Sequence, residues 1–214
     1  MTYSADYDNG VWNAMKSRHM LVFPVTKSIY LSGKLVNRDI LLYSPECLYK
    51  PGKRFSFSGR EDEIPGMDSL NDYEAESTSV YDSKGRLVQV TSRTGLSMVL
   101  LWSYSRQYII AQISNATLED IRQNGIDIEA LAAKAKPSDA DWTALENLRR
   151  TLPESEVVTC KYLPLTGIVE RTDGQGRKAV YTYDSFNRLE RESEVKDGRM
   201  IPVRQYEYHL ETER

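Results

Sequence analysis

Few residues in this sequence could supply catalytic or metal-binding chemistry. The 214 residues include two histidines, His19 and His209, and two cysteines, Cys47 and Cys160. A histidine-based metal site or a Cys–His nucleophile would need these side chains close together, and their spacing favours neither. The cysteines could pair if the fold brings them together, although separate thiols are the simpler expectation. Carboxylates are plentiful, but a sequence alone cannot pair them for acid–base catalysis. We therefore expect no enzyme, no cofactor and no metal site.

A second kind of chemistry would be recognition by exposed arginines and aromatic rings. Arg86 and Arg188 recur at equivalent positions after two turns, and a row of guanidinium groups could bind an anionic glycan or a phosphate. Trp102 and Tyr104 could likewise stack on sugars. In the simpler interpretation, each arginine pairs with the aspartate four residues before it or with a neighbouring strand. The rings then pack across strands.

The composition argues against some classes of function. The formal net charge of −3 argues against a general nucleic-acid binder. No run of 18 apolar residues predicts a membrane span, and the opening MTYSADYDNG is too polar for a signal peptide. Tyrosine occurs 14 times against 4 phenylalanines, which favours half-buried strands whose hydroxyls reach polar partners.

The elements that must position these residues are mainly strands. Residues 1–66 form a predicted N-terminal β region of the same fold, and residues 60–72, with Pro65 and Gly66, predict a loop. Three segments rich in β-branched, leucine and tyrosine residues predict its strands: 19–25, 28–36 and 39–45.

A regular rhythm of strands and turns begins near residue 77 and predicts two β meanders, 67–116 and 153–214. Four-residue turns are predicted at 82–85, 92–95, 173–176, 184–187 and 195–198. The fold class is therefore mainly β, a β-dominated α+β fold with a twisted antiparallel sheet of hairpins.

A helical insertion interrupts this rhythm at about 117–152. Thr117, Asp127 and Ser138 are predicted helix caps, and Gly125 is predicted to end the first helix. An apolar stripe at helical spacing predicts packing against the sheet, and it consists of Trp142, Leu145, Leu148 and Leu152.

One short phrase occurs twice, as SVYDSKGRL at 79–87 and as VYTYDSFNRL at 180–189. An aspartate at the first turn position can accept hydrogen bonds from backbone amides two residues on. The fourth position favours the left-handed conformation, which glycine adopts freely and asparagine tolerates. Tyr181 and Tyr183 are two residues apart, which predicts that both rings share one face of a strand.

This phrase resembles the YD repeat of the Rhs family and of teneurins. The residues that carry the resemblance are Tyr81, Asp82, Gly85, Arg86 and Leu87, and then Tyr181, Tyr183, Asp184, Asn187 in place of glycine, Arg188 and Leu189. The most typical stretch is 172–192, and the resemblance covers 75–115 and 157–210, under half of the chain. The helical insertion and the N-terminal residues depart from a plain repeat array.

In that family the repeats build a β-strand spiral that forms a shell or scaffold. The resemblance therefore implies a non-catalytic structural or interaction module from a bacterial cell-surface or secreted protein. Its implied partners are other repeats of the same or a longer polypeptide. The alternative is a carbohydrate-binding module, with a glycan or a surface protein as partner. An open sheet edge could also self-associate.

Overall fold

The chain folds mainly as antiparallel β-structure, which confirms the predicted fold class. The computed structural model describes residues 1–47 and 49–208, except the side chain of Glu61. This described part contains thirteen strands and four α-helices. They lie in two compact units, Met1–Ser97 and the residues from Met98 onward. Within each unit, every strand pairs antiparallel with the strand that follows it. No helix among the described residues is long and apolar enough to cross a membrane.

The first unit holds the N-terminal strands and a core that includes Ile40, Phe55 and Leu70. Its elements are β1 Thr2–Tyr3, α1 Gly10–Lys16, β2 Pro24–Leu31, β3 Lys34–Ser44, β4 Lys50–Ser58, β5 Ser77–Tyr81 and β6 Leu87–Ser92. Short 3-10 turns lie at Ser4–Asp6, Glu61–Glu63 and Met67–Asp72. The segment predicted as a loop at 60–72 is therefore partly helical.

The helix α1 was not predicted from the sequence. It buries Trp12 and Met15 against Val25 and Tyr43. Its seven residues are too few to establish a helical period, so tertiary packing decides this conformation. The strand predicted at 19–25 begins only at Pro24, because the chain first leaves α1 through an irregular segment.

The second unit continues the β-structure and carries the helical insertion. Its elements are β7 Ser97–Ser103, which begins at the unit boundary, β8 Tyr108–Ser114, α2 Leu118–Gln123, α3 Ile128–Ala133, α4 Asp139–Thr151, β9 Glu156–Leu163, β10 Gly167–Thr172, β11 Lys178–Tyr183, β12 Leu189–Lys196 and β13 Arg199–Gln205.

The predicted caps of the helical insertion are confirmed. The side chains of Thr117 and Ser138 accept hydrogen bonds from the main-chain N–H groups of Asp120 and Asp141, and each aspartate accepts from the cap residue in return. Asp127 accepts from the N–H group of Ala130, the third residue of α3. These reciprocal bonds satisfy N-terminal amides that an α-helix leaves without partners.

The helix α4 packs on the strands of its own unit. Leu145 and Leu148 are almost fully buried, so two residues of the predicted apolar stripe are core, and Trp142 and Leu152 are half-buried. Beside them, the hydroxyl of Thr159 on β9 donates to Glu146 at 3.0 Å. The guanidinium of Arg149 donates to a main-chain carbonyl in the turn after β10 at 2.6 Å. Polar contacts therefore fix α4 along two neighbouring strands.

The turn between β7 and β8 is docked on the end of α3. Tyr104, Ser105 and Arg106 are all left-handed, with φ of 53°, 55° and 64°. The N–H groups of Ser105 and Arg106 donate to the carbonyls of Lys134 and Ala132 at 2.7 and 2.8 Å. The last carbonyls of α3 thereby gain donors, and the turn gains acceptors.

The connection between β12 and β13 differs from the predicted four-residue turn at 195–198. Lys196 pairs directly with Arg199, so only Asp197 and Gly198 form the turn. Both have positive φ, 51° and 74°, as the two central residues of a type I′ hairpin require.

Substitution of a left-handed turn glycine tests the turn assignment. Gly95 has φ of +84° and open space around the position of a Cβ atom. Gly95→Val should therefore lower the free energy of unfolding by about 1–2 kcal/mol through backbone strain alone. Gly66 has φ of −77° and is equally open, so Gly66→Val is the matched control. Equal urea midpoints for the two variants would contradict the assignment.

Candidate functional site: tyrosine bridges and aspartate turns

The most regular feature of the fold is a tyrosine that crosses a gap between two strands. At five junctions among the described residues, the ladder between an even-numbered strand and the next odd-numbered strand stops. A tyrosine of the odd-numbered strand, or just beyond it, then donates its hydroxyl hydrogen to a main-chain carbonyl across the gap. We call each contact a tyrosine bridge. The bridges are Tyr43 to Pro24 (2.8 Å), Tyr81 to Pro51 (3.0 Å), Tyr162 to Ile109 (3.1 Å), Tyr183 to Ile168 (2.8 Å) and Tyr208 to Leu189 (2.9 Å).

All five bridges share one offset. The tyrosine lies three residues after the last paired residue of its strand, and the acceptor lies two residues before that residue's partner. Between β10 and β11, for example, the last pair is Glu170 with Val180, and the bridge joins Ile168 to Tyr183. The other last pairs are Thr26–Ile40, Lys53–Thr78, Ala111–Thr159 and Arg191–Gln205. The bridge is therefore a property of the repeating unit.

A bulge lies opposite several of these tyrosines. Pairing with the following strand shifts register immediately before Tyr43, Tyr81 and Tyr183, and the extra residue lies on the following strand each time. At Tyr183 the extra residue is Glu190 of β12. The placement of Tyr181 and Tyr183 on one face of β11 stays a prediction. Tyr181 is half-buried on β11, opposite Glu192 of β12.

One bridge also depends on a glycine. A Cβ atom on Gly167 would lie 2.4 Å from the hydroxyl oxygen of Tyr183. The tyrosine therefore packs directly over the glycine on its way to the carbonyl of Ile168. The resemblance to a known repeat did not single out Gly167, because its importance comes from a residue on another strand.

Burial favours the protonated form of four bridging hydroxyls. It raises the pKa of Tyr43, Tyr81 and Tyr183 above the ordinary value of 10.0. The pKa of Tyr162 rises to about 12, first through burial and then through the neighbouring Cys160 and other tyrosines. Because only the neutral phenol has a hydrogen to donate, these shifts favour the bridged state.

The second recurring feature is the turn that begins at Asp82, Asp173 and Asp184, which we call the aspartate turn. In each, Oδ1 accepts from the N–H groups two and four residues on. The distances are 2.9 and 2.8 Å at Asp82, 3.0 and 2.9 Å at Asp173, and 2.8 and 3.0 Å at Asp184. The fourth residue is left-handed, as predicted, with φ of 77° at Gly85, 80° at Gly176 and 60° at Asn187. Leu87 and Leu189 begin the strands that follow two of these turns.

An arginine closes two of these turns with an ion pair. The Nε groups of Arg177 and Arg188 each donate to Oδ2 of the turn aspartate at 2.7 Å. The pKa of Asp184 is lowered, first by the main-chain N–H of Arg188 and then by its guanidinium and the N–H of Phe186. The guanidinium of Arg188 also lies over the ring of Tyr208, at 4.4 Å from its centroid. Arg188 is thus engaged by its own repeat. In the first copy of the phrase, the main-chain N–H of Arg86 donates to Oδ1 of Asp82, four residues earlier.

The aromatic pair considered for sugar stacking is placed differently from that expectation. Tyr104 is only 5% exposed. Its hydroxyl donates to the carbonyl of Tyr162 at 3.1 Å and accepts from the N–H of the same residue at 3.2 Å. Its ring packs edge-on against Tyr108 and Tyr162. Tyr104 therefore offers no ring face to a glycan, and Trp102 is half-buried.

The cysteines and the possible metal ligands form no common site among the described residues. Cys47 and Cys160 are separate, half-buried thiols, and burial raises the pKa of Cys160. Among the described residues, no group of three or more histidine, cysteine, aspartate or glutamate side chains could hold a metal ion. His209 lies outside the described residues.

A double-mutant cycle tests the bridge over Gly167. Gly167→Ala should lower the free energy of unfolding by about 1–3 kcal/mol, because the new methyl group displaces the hydroxyl of Tyr183. Tyr183→Phe should cost about 1 kcal/mol through the lost hydrogen bond. The double variant should cost less than the sum, since both changes remove the same bond. Strict additivity in urea unfolding would contradict the contact.

The raised pKa of Tyr162 predicts a loss of stability in alkali. Below pH 10 this phenol is neutral in both the folded and the unfolded chain. Between pH 10 and the folded pKa of about 12, only the unfolded chain ionises, so the free energy of unfolding should fall as the pH rises. Tyr162→Phe should make that fall shallower in urea titrations. Tyr30→Phe, which alters an exposed side chain, should keep the slope of the unmodified protein.

Among the comparisons with known proteins, only the comparison with solved structures finds similar chains. No protein-family model matches this chain, and no curated protein sequence matches it. The Tc holotoxin pore of Photorhabdus luminescens aligns with 92% of this chain at 11% identity and a TM-score of 0.42. The TcdB2–TccC3 structure aligns with 95% at 12% identity and a TM-score of 0.44, and TcdB2–TccC3–TEV with 90% at 12% and 0.45. This chain spans only 8%, 8% and 10% of those three chains.

Proposed function

We propose that this chain is a non-catalytic structural or interaction module, a β scaffold of the YD-repeat kind. The observation that carries this proposal is the constant offset of the five tyrosine bridges. A contact that recurs at the same offset ties each strand pair together in the same way, as a repeat array requires.

The side chains of the repeated phrase are occupied by structural contacts. The phenols of Tyr81 and Tyr183 hold neighbouring strands, and the carboxylates of Asp82 and Asp184 hold turns. Arg188 is paired with the aspartate of its own turn. Groups engaged in this way serve the sheet, which supports a scaffold over a catalytic or sugar-binding role.

The partners that fit a scaffold are other β-strands. We propose that other repeats of the same or a longer polypeptide pack beside this chain, and that the protein acts at a bacterial cell surface or after secretion. The sequence resemblance supports this location. The last described strand, β13, is exposed along its whole length, which leaves room for a further element.

A series of tyrosine variants tests the scaffold proposal. Tyr43→Phe, Tyr81→Phe, Tyr162→Phe and Tyr183→Phe should each lower the free energy of unfolding by about 1 kcal/mol, since each removes one donor from a half-buried or buried bridge. Tyr30→Phe is the control, because its side chain is exposed on β2. Urea unfolding followed by circular dichroism gives the measurement.

The same variants separate the scaffold from a binding module. A scaffold predicts similar losses of stability at all four bridges and no glycan binding that depends on these rings. A stability loss at only one bridge would remove the basis for a repeated structural role. Glycan binding abolished by Trp102→Ala, with stability unchanged, would favour the carbohydrate-binding alternative.

A further inference from the structure

Asparagine is followed by glycine at two places, Asn9 before α1 and Asn124 after α2. Asparagine is a chemically labile residue, and it is most labile before glycine. Glycine has no Cβ atom to shield its main-chain nitrogen from the preceding side chain. The two dipeptides share the same chemistry in the sequence, but the fold places them in different environments.

The first dipeptide is exposed and held by few contacts. Asn9 and Gly10 are both exposed. Apart from its chain neighbours and the main chain of α1, no described atom lies within 4 Å of the position of a Cβ atom on Gly10. The side chain of Asn9 makes no capping hydrogen bond to α1. The N–H group of Gly10 has no main-chain acceptor among the described residues, since the first amides of a helix lack partners within it.

The second dipeptide is held by two hydrogen bonds. The side-chain amide of Asn124 donates to the carbonyl of Asp120 at 2.9 Å. The N–H group of Gly125 donates to the carbonyl of Arg122, also at 2.9 Å. The side chain is thus held at the end of α2, and the glycine nitrogen cannot lose its proton while it donates. A reaction between the two groups requires both bonds to break first.

The main-chain torsions favour the first dipeptide as well. A ring can close only when the glycine nitrogen and the asparagine Cβ atom are nearly eclipsed about the bond from Cα to the carbonyl carbon. The ψ of 176° at Asn9 places the nitrogen of Gly10 gauche to that Cβ atom. The ψ of 13° at Asn124 turns the nitrogen of Gly125 to the far side. Asn9 therefore needs the smaller rotation.

We propose that Asn9 is a site of spontaneous deamidation in the folded protein and that Asn124 is not. The main-chain nitrogen of Gly10 loses its proton to base and attacks Cγ of Asn9. A carbon–nitrogen bond forms, the bond from Cγ to Nδ2 breaks, and that nitrogen takes up a proton and leaves as ammonia. Water then opens the resulting succinimide at either carbonyl, which yields aspartate or isoaspartate. The reaction consumes one water molecule, and it does not depend on the scaffold proposal.

The isoaspartate product changes the main chain where α1 begins. It adds the Cβ atom of residue 9 to the backbone, directly before a helix that buries Trp12 and Met15 against Val25 and Tyr43. Close-packed side chains tolerate little displacement, so this longer entry to α1 weakens the packing. Aspartate keeps the ordinary backbone and is a favourable residue before a helix. Only the isoaspartate product should therefore destabilise the first unit.

Peptide mapping by mass spectrometry tests the proposal on the full chain, kept folded at mildly alkaline pH. The peptide with Asn9 should gain the mass of an amide-to-acid conversion and separate into two isomers, while the peptide with Asn124 stays unchanged. In guanidinium chloride both peptides should react at similar rates, because unfolding removes the bonds that hold Asn124. Gly10→Ala should slow the reaction at Asn9 by about tenfold or more, since its Cβ atom crowds the attacking nitrogen.

Equal rates at Asn9 and Asn124 in the folded protein, including no reaction at either, would overturn the proposal. An unchanged rate in Gly10→Ala would also overturn it, since the open position accepts the methyl group without a change of fold.

Urea unfolding of the separated products tests the effect on α1. The isoaspartate product should unfold at a lower urea concentration than Asn9→Asp, the matched control, which has the same charge and an ordinary backbone. Equal midpoints would overturn the effect assigned to α1.

Discussion

A main-chain carbonyl that leaves a strand ladder must find another donor, because burial without one costs more than a hydrogen bond returns. This constraint arises in the present chain at the five described junctions where an even-numbered strand separates from the odd-numbered strand after it. The phenol of a tyrosine meets it each time. The tyrosine side chain is long enough to cross the gap, and its hydroxyl stays protonated when buried. Its ring fills the space between the separating strands. Strands can thus diverge toward their turns without exposing or orphaning the backbone.

The repeated phrase divides two tasks between neighbouring residues. Tyr183 closes the gap to the strand before it, and Asp184 organises the turn to the strand after it. Tyr81 and Asp82 do the same in the first unit. In each pair, the tyrosine therefore contacts the preceding strand, and the adjacent aspartate stabilises the turn to the next strand. The arginine that follows completes the turn at Arg188.

Local features could be predicted from the sequence, and contacts between strands could not. The sequence predicts the helix caps at Thr117 and Ser138 and the left-handed residues of the turns, because each depends only on residues within four positions. The bridge at Tyr183 depends on a carbonyl 15 residues earlier, on another strand, and no periodic pattern reveals that contact. The sequence offers Tyr104 as a ring for sugar stacking, but the ring is buried and its hydroxyl donates to the carbonyl of Tyr162, 58 residues away. Fold class follows from the pattern, whereas the role of each tyrosine follows from pairing.

The left-handed turn after β7 has a consequence for how this architecture could change. Three successive residues other than glycine adopt that conformation, and the amides of two of them, Ser105 and Arg106, donate to the carbonyls of Lys134 and Ala132. The helical insertion between β8 and β9 therefore stabilises the turn between β7 and β8. An engineered chain that joined those strands directly would lose both acceptors, so the amides of the turn would need new partners. Removal of the insertion therefore requires redesign of the turn as well.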